Sequence, residues 1–210
     1  MCLLFHFNLG TVGSKYYGIA KNVNLIAVKV LNSYGSGSSC RIILAIEWVI
    51  RQPRPNGAVI NMSLGVSSVN SALNSAVQRA VAAGITVVVA AGNSNVDACT
   101  ASPSSAANAI TVGATGKDDA RASFSNYGTC VDIFAPGVGI TSDYKNTTKT
   151  ISGTSMASPH VAGVAALLLN ENPALTPAEV AARIRADATP GVVGGAGTGS
   201  PNFMIYSGTI

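Results

Sequence analysis

The 210 residues are enough to bury one large hydrophobic core. Apolar residues make up 48 % of the chain and charged residues only 10 %, against roughly 25 % charged in an average domain. This balance excludes a disordered chain and a coiled coil, which need many more charges. The net charge of +4 is mild and the basic residues are dispersed, so we expect no nucleic-acid partner. No membrane partner is expected either, because the longest apolar run, residues 80–92, is shorter than the ~20 residues that cross a bilayer.

The first half of the chain alternates short β-branched runs with longer segments of helical periodicity. The pattern predicts strands at residues 24–31, 58–64 and 85–91, and helices at 39–52 and 68–83 between them. A β-α-β-α-β order with nearly continuous apolar strands indicates a parallel sheet covered by helices on both faces.

The second half begins with turns and short predicted strands at residues 109–112 and 131–134. Helices are predicted at 155–170 and 176–189, the latter opened by a capping box. No internal repeat and no sharp change of composition divides the chain, so the sequence predicts a single α/β domain.

The four cysteines, Cys2, Cys40, Cys99 and Cys130, allow three complete pairings, and the sequence alone does not choose between them. Cys99 and Cys130 both fall in polar turn segments, which suit a crosslink between loops. The alternative is that both remain free thiols. A Cys99–Cys130 pair would indicate an oxidising, extracellular setting.

Three polar residues fall where an open α/β sheet binds its ligands, beyond the carboxyl ends of the strands. Asn93 follows the third predicted strand, Ser63 ends the second, and Ser155 opens a helix. A serine at a helix N-terminus lies beside free backbone N–H groups and the positive end of the helix dipole, which favour a developing negative charge. One such N–H and an Asn amide suffice as an oxyanion hole for acyl transfer. The alternative is that Ser155 only caps its helix and Asn93 only ends its strand.

The stretch GTSMASPHVAG from Gly153 to Gly163 closely resembles the nucleophile motif of the subtilisin-like serine proteases. Further segments resemble the proteinase K-type branch of that family, in the same order along the chain. They are GTVGS at 10–14, YGIA at 17–20, VKVL at 28–31, NMSLG at 61–65, AAGN at 90–93 and SFSNYG at 123–128. The resemblance implies a three-layer α/β fold, with a mostly parallel central sheet flanked by helices, that lacks the family's N-terminal strand and helix.

The resemblance also implies roles for individual residues. Ser155 would be the nucleophile of a serine endopeptidase, and Asn93 would donate a hydrogen bond to the oxyanion. Two edge segments would clamp an extended polypeptide substrate by strand addition, and one further segment would line the primary specificity pocket. The edge segments are Tyr34, Gly35, Ser36 and Ser63, Leu64, Gly65, and the pocket wall is Ala90, Ala91, Gly92.

Two structural features of the branch can be carried over to this chain. Cys99 and Cys130 match a family disulfide, and Asp132 with the carbonyl groups of Ala107 and Ala109 falls where members hold a structural calcium ion. No cofactor is expected for catalysis. The resemblance further implies a secreted, monomeric enzyme.

The proton acceptor that Ser155 needs is not found where the family would place it. The triad runs in chain order Asp, His, Ser, and aligning residues 10–14 on the family pattern places Phe7 at the position of the catalytic histidine. The aspartate belongs to a strand further upstream. We therefore expect residues 1–9 to be an unrelated lead-in, residues 10–210 to be a partial catalytic domain, and the chain as written to be inactive and poorly stable.

Two explanations remain open from the sequence. The chain is either an incomplete copy of an active secreted endopeptidase or a non-catalytic, peptide-binding descendant of one. Residues 1–9 carry no basic leader and are followed by no small-residue cleavage site, so we expect no signal peptide in this chain.

Overall fold

A computed structural model describes residues 3–145 and 147–208 of the chain. Within these ranges the α-helices are α1 (Leu3–Gly13), α2 (Ser39–Ile50), α3 (Ser71–Ala82), α4 (Thr154–Glu171) and α5 (Pro177–Asp187). The strands are β1 (Val59–Met62), β2 (Thr86–Ala90), β3 (Ile110–Thr115), β4 (Ile133–Pro136), β5 (Ile140–Tyr144), β6 (Thr147–Ile151), β7 (Thr189–Pro190) and β8 (Phe203–Met204). Residues 1–2 of the predicted lead-in, and residues 146 and 209–210 of the predicted partial catalytic domain, lie outside the described residues.

Six of the strands form one sheet in the order β1-β2-β3-β4-β8-β7. Every neighbouring pair is parallel except β7 and β8, and Val88 of β2 faces Ile110 of β3 in the register. Strands β5 and β6 form a separate antiparallel hairpin. The sheet is thus mostly parallel, as the sequence predicts.

Helices cover both faces of this sheet and bury its strands between them. Val88 packs in one hydrophobic cluster with residues of α1, α4 and α5. Val87 and Val89 pack in a second cluster with residues of α2 and α3, on the opposite face. The alternation along β2 follows from the two-residue side-chain period of a strand. The three-layer α/β architecture is therefore confirmed. Among the described helices none is long and apolar enough to cross a membrane.

The strand predicted at residues 24–31 does not form, and this part of the prediction is wrong. The segment has no regular secondary structure, and Ile26 in it is 63 % exposed. A strand of a parallel sheet needs a neighbour to accept its backbone hydrogen bonds. β1 is the edge strand of the sheet and pairs only with β2 in the part of the chain that the structure describes. The other edge of β1 pairs with no strand there, and residues 24–31 form no backbone ladder with it despite their strand propensity.

Capping side chains set the helix starts that the apolar pattern left uncertain. α3 begins at Ser71, later than the predicted residue 68, because the Asn70 side chain accepts a hydrogen bond from the Leu73 N–H. α5 begins at Pro177, where Thr176 and Glu179 form the predicted capping box. Each cap satisfies N–H groups that have no acceptor inside the helix.

A disulfide joins Cys99 to Cys130, with 5.2 Å between their Cα atoms. It ties the short helical turn Ala98–Thr100 to the segment that leads into β4. Cys40 is exposed and unpaired, and Cys2 lies outside the described residues. The pairing is the one that the family resemblance implies.

His160 lies in the middle of the packed helix α4. Its Nδ1 is 2.8 Å from the carbonyl oxygen of Met156, one turn earlier in the helix. Burial lowers the pKa of His160, and the hydrogen bond to Met156 opposes this effect only in part. The imidazole is therefore a neutral packing group at pH 7.

Replacing both Cys99 and Cys130 by Ser is expected to lower the free energy of unfolding by about 3–4 kcal/mol, because the crosslink restricts the unfolded chain. Denaturant unfolding measures this loss. Cys40→Ser, which removes an exposed unpaired thiol, is the control and should change stability by less than about 0.5 kcal/mol. An equal effect of the two changes would contradict a structural disulfide.

The half-buried His160 should also make folding stability depend on pH. Because its pKa is lower in the folded than in the unfolded chain, the unfolded state takes up a proton first, and stability should fall as pH drops below about 6.5. His160→Gln should flatten this dependence in denaturation curves between pH 8 and 5. His6→Gln, which removes the other histidine of the sequence, should leave it in place. An unchanged slope in His160→Gln would refute this account of His160.

Candidate active site

Ser155 lies in the first turn of α4, at the carboxyl side of the sheet. The turn before it is made by Gly153, whose φ of 156° is in a region that side-chain-bearing residues rarely adopt. The Ser155 N–H has no acceptor among the described residues, as is usual in a first helical turn. A half-buried hydroxyl and a free N–H thus occupy the positive end of an 18-residue helix.

Asn93 points its amide at the same helix terminus. Its Oδ1 accepts hydrogen bonds from the backbone N–H of Thr154 at 2.8 Å and from the Thr154 hydroxyl at 2.9 Å. These two bonds fix which way the amide faces, and its Nδ2, next to Gly153, has no acceptor within the described ranges. The Asn93 amide and the Ser155 N–H are therefore two donors at one place, which is the arrangement an oxyanion requires.

Gly92 allows the loop after β2 to place Asn93 there. Its φ is 105°, and a Cβ at this position would lie 2.4 Å from Nδ2 of Asn126. The Gly92 N–H donates to the Thr154 hydroxyl at 3.1 Å. Any larger residue would be strained and would collide with Asn126.

Asn126 holds the same loop from the other side, a role that the sequence analysis missed. Its buried side chain donates to the Ala91 carbonyl at 2.9 Å and accepts from the N–H groups of Ser94 and Val96 at 3.0 and 3.2 Å. The only sequence signal was its place in the segment SFSNYG, which by itself indicated no contact with Asn93.

Ser63, at the end of β1, is brought directly against Ser155. The Ser155 hydroxyl donates to the Ser63 carbonyl at 3.2 Å, and the Ser63 hydroxyl donates to the Ser155 carbonyl at 2.9 Å. Leu64, half-buried, and Gly65, exposed, continue from this contact. The predicted peptide-binding segment 63–65 therefore begins beside Ser155.

The second predicted segment forms an exposed turn. The Asn32 side chain accepts hydrogen bonds from the N–H groups of Tyr34 and Ser36, and Tyr34 is 91 % exposed. Among the described residues no hydrogen bond joins this turn, which includes Gly35, to Ser63 or Ser155. Its part in peptide binding beside Ser63, Leu64 and Gly65 stays a prediction.

The residues predicted to line a specificity pocket differ in exposure. Ala90 ends β2, Ala91 is fully buried against Phe134 and its neighbours, and only Gly92 is partly open to solvent. Their role in side-chain recognition stays a prediction.

Phe7 carries no group that could accept a proton from Ser155. It lies in α1, fully buried, and its carbonyl accepts a hydrogen bond from the Ser142 hydroxyl at 2.9 Å. If the family stretch His-Gly-Thr-His-x-Ala-Gly ends at Gly10, its two histidine positions fall on Leu4 and Phe7, and both residues are apolar. The imidazole of His6 lies outside what the structure describes.

His160 is also poorly placed to accept a proton from Ser155. It is five residues from Ser155 along α4, which turns it about 140° around the helix axis. Within the described residues, the hydrogen bond of the Ser155 hydroxyl goes to the Ser63 carbonyl and to no imidazole or carboxylate.

Asp132 lies apart from the nucleophile, just before β4. One carboxylate oxygen accepts a hydrogen bond from the Thr111 N–H at 2.7 Å. Desolvation by burial raises the pKa of Asp132, while this hydrogen bond and the Arg185 charge lower it less strongly. Asn108, between Ala107 and Ala109, has a φ of 67°, so the chain bends sharply between the two predicted carbonyl ligands.

These groups fit a calcium ion in the type of donor, since all are oxygens. Asp132 is the one carboxylate of this donor set, and the other two donors are backbone carbonyl groups. The described part of the chain contains no group of three or more His, Cys, Asp or Glu side chains that could hold a metal ion.

Comparison with known proteins supports the resemblance over most of the chain. A model of the subtilase family (peptidase S8) matches residues 6–203. The extracellular serine proteinase of Thermus sp. (strain Rt41A) is 53 % identical over 201 residues, which are 94 % of this chain and 48 % of that protein. Alkaline serine exoprotease A of Vibrio alginolyticus is 52 % identical over 199 residues, 94 % of this chain and 37 % of that protein.

A crystal structure of a cold-adapted subtilisin-like serine proteinase has the same fold. It superposes with a TM-score of 0.93 at 46 % sequence identity, over 96 % of this chain and 73 % of that one. The chain spans about half the length, or less, of the two relatives named above. By sequence and by structure, the chain belongs to the subtilase family of serine proteinases.

Proposed function

We propose that the chain carries the acylating part of a serine endopeptidase. Ser155 Oγ would attack the carbonyl carbon of a peptide bond to form an acyl-enzyme, and the leaving amine would take the proton. Asn93 Nδ2 and the Ser155 N–H would hold the oxyanion of the tetrahedral intermediate. The observation that supports this most strongly is the fixed Asn93 amide, whose free donor lies at the N-terminus of α4 beside Ser155.

The nucleophile needs a general base, and we propose that these 210 residues alone have little activity. A serine hydroxyl without a base stays protonated at neutral pH and is a weak nucleophile. The Ser155 hydroxyl instead donates a hydrogen bond to the backbone carbonyl of Ser63. A carbonyl is too weak a base to remove the proton from the hydroxyl. In subtilisin, loss of the histidine alone is known to remove most of the catalysis and to leave only the contribution of the oxyanion hole and binding.

We propose an extended polypeptide as the substrate, bound to a monomeric enzyme. Ser63, Leu64 and Gly65 leave the sheet at the nucleophile, so a peptide added along them as a strand would pass Ser155. The exposed turn at residues 34–36 would form the opposite edge, and Ala90, Ala91 and Gly92 would line the pocket for one side chain. A secreted location agrees with the disulfide and with the relative named as extracellular.

A non-catalytic, peptide-binding role is the second candidate. It is favoured by one observation, the hydrogen bond that directs the Ser155 proton to the Ser63 carbonyl. The two candidates share the binding surface and differ in the reactivity of Ser155.

We further propose that Asp132 and the carbonyl groups of Ala107 and Ala109 bind a structural calcium ion. Calcium would favour the ionised form of Asp132, which burial disfavours. Its role would be to stabilise the segment before β3 against the segment before β4, with no part in the chemistry.

Labelling by a fluorophosphonate tests the function of Ser155. We expect slow modification of the 210-residue chain that Ser155→Ala abolishes, and no casein digestion at the ordinary rate of a subtilase. Asn93→Ala should slow labelling about 10²–10³-fold, the effect known for the oxyanion-hole amide of subtilisin itself. Intact-mass spectrometry measures the rate.

Labelling of Ser155 no faster than that of surface serines would contradict the proposed function. Casein digestion at an ordinary rate would contradict the proposed lack of a base. Peptide binding by a chain whose Ser155 does not react would favour the second candidate.

Calcium is expected to raise the melting temperature of the chain at pH 7, and Asp132→Asn should abolish this rise. Glu171→Gln, at an exposed carboxylate on α4, is the control and should keep it. Because a proton and the cation compete for the Asp132 carboxylate, the rise should become smaller as pH falls into the acidic range. A calcium effect that survives Asp132→Asn would place the ion elsewhere.

A further inference from the structure

Pro159 lies inside α4, four residues after Ser155. In an α-helix the N–H of each residue donates to the carbonyl four residues earlier. Proline has no N–H, so the carbonyl of Ser155 is left without its intrahelical donor. The nucleophile's own backbone is thus incompletely bonded at a half-buried position.

The Ser63 hydroxyl replaces the missing donor. It lies 2.9 Å from the Ser155 carbonyl oxygen and comes from β1, a different layer of the fold. The carbonyl of the same residue accepts the Ser155 hydroxyl at 3.2 Å. Ser63 therefore holds Ser155 at two points, the backbone carbonyl and the reactive oxygen.

Two further side chains orient the Ser63 hydroxyl. Asn61 Nδ2 donates to Ser63 Oγ at 2.9 Å, and Ser158 Oγ lies 2.9 Å from the same oxygen. Ser63 has one hydroxyl proton, and a carbonyl can only accept, so the Ser63 proton goes to Ser155 and Ser158 donates its own proton to Ser63. Ser158 is fully buried, which protects this arrangement from exchange with water.

We propose that Asn61, Ser63 and Ser158, the serine clamp, are positioning residues for the nucleophile. The clamp fixes the backbone of Ser155, and with it the N–H that faces the oxyanion, to the strand that continues into the peptide-binding segment. The proposal rests on the proposed function of Ser155. It adds that Pro159 leaves the Ser155 carbonyl without an intrahelical donor, that Ser63 supplies the missing hydrogen bond, and that Ser158 orients the Ser63 hydroxyl.

A double-mutant cycle with Pro159 tests the clamp. Ser63→Ala leaves the Ser155 carbonyl without a donor and should slow fluorophosphonate labelling of Ser155 about tenfold, the effect of one net hydrogen bond. Ser158→Ala leaves Ser63 misoriented and should slow it about threefold. Pro159→Ala restores the N–H of residue 159 as a donor to the Ser155 carbonyl. Labelling of Ser63→Ala/Pro159→Ala should therefore return to within about threefold of Pro159→Ala alone.

Ser104→Ala is the matched control for the loss of a buried serine. Ser104 is almost fully buried and its hydroxyl donates to the Ala98 carbonyl at 2.7 Å, away from Ser155. This variant is expected to lose stability in thermal unfolding while labelling of Ser155 changes by less than about twofold. A role of the clamp in stability alone would make Ser63→Ala behave in the same way and would overturn the proposal.

The Ser155 carbonyl can also be observed without any reaction. Ser155–Met156 is the only Ser-Met pair in the sequence. Chain labelled with ¹³C-carbonyl serine and ¹⁵N methionine therefore gives one carbonyl-to-amide correlation, which reports the Ser155 carbonyl shift. We expect this shift to move upfield in Ser63→Ala, as a carbonyl loses its hydrogen bond, and to return in Ser63→Ala/Pro159→Ala.

The two readouts separate failure of the clamp from failure of the proposed function. An unchanged carbonyl shift in Ser63→Ala, or additive effects of Ser63→Ala and Pro159→Ala on labelling, would overturn the clamp. Absence of Ser155-dependent labelling in the unsubstituted chain would overturn the proposed function, and the carbonyl shift would still decide whether the clamp exists.

Discussion

The two hydrogen bonds from Thr154 to the Asn93 side chain are the interaction on which the candidate site depends. They join the loop after β2 to the first turn of α4, and they point the remaining amide donor toward Ser155. Two further residues keep this loop in place. Gly92 permits its backbone conformation, and the Asn126 side chain is hydrogen-bonded to its backbone. Without these bonds the loop and the helix would remain, but their donors would not be aimed at one oxygen.

The site extends from α4 to β1 through Ser63. This strand lies at the edge of the sheet in the described part of the chain, and Ser63, which follows it, contacts Ser155. The residues proposed for peptide binding and for the oxyanion are therefore held by hydrogen bonds within the described part of the chain. Activation of the hydroxyl is a separate requirement, and the contacts of Ser155 do not provide for it. Under the proposed function, the donors for an oxyanion are thus present in the described residues without a group that takes the Ser155 proton.

Much of the fold could be predicted because apolar periodicity reports burial directly. β2, buried on both faces, was recognised as a continuous apolar run, and α5 was recognised by its capping box. The strand predicted at residues 24–31 failed for the converse reason. Its β-branched residues express a local preference, whereas a strand forms only where a neighbour accepts its backbone hydrogen bonds.

The candidate site was predictable in part. The sequence places Asn93 at a strand end and Ser155 at a helix start, and the structure brings Asn93 to the first turn of that helix, while their roles stay predictions. Asn126 was missed because its importance lies in contacts with residues about thirty positions away, and hydrogen bonds between loops leave no periodic signal. The contact of Ser63 with Ser155 was missed for the same reason. A proline inside a helix leaves one carbonyl without its intrahelical donor, but only the fold shows that the Ser63 side chain donates to it.

The central claim is that Ser155 has oxyanion donors in place and lacks a general base within these residues. The most direct test is the pH dependence of the rate at which a fluorophosphonate modifies Ser155 between pH 6 and 10. We expect the rate to rise steadily with hydroxide concentration, as for an unassisted hydroxyl. A rate that reaches a plateau with an inflection near the pKa of an imidazole, about 6.5, would contradict the claim.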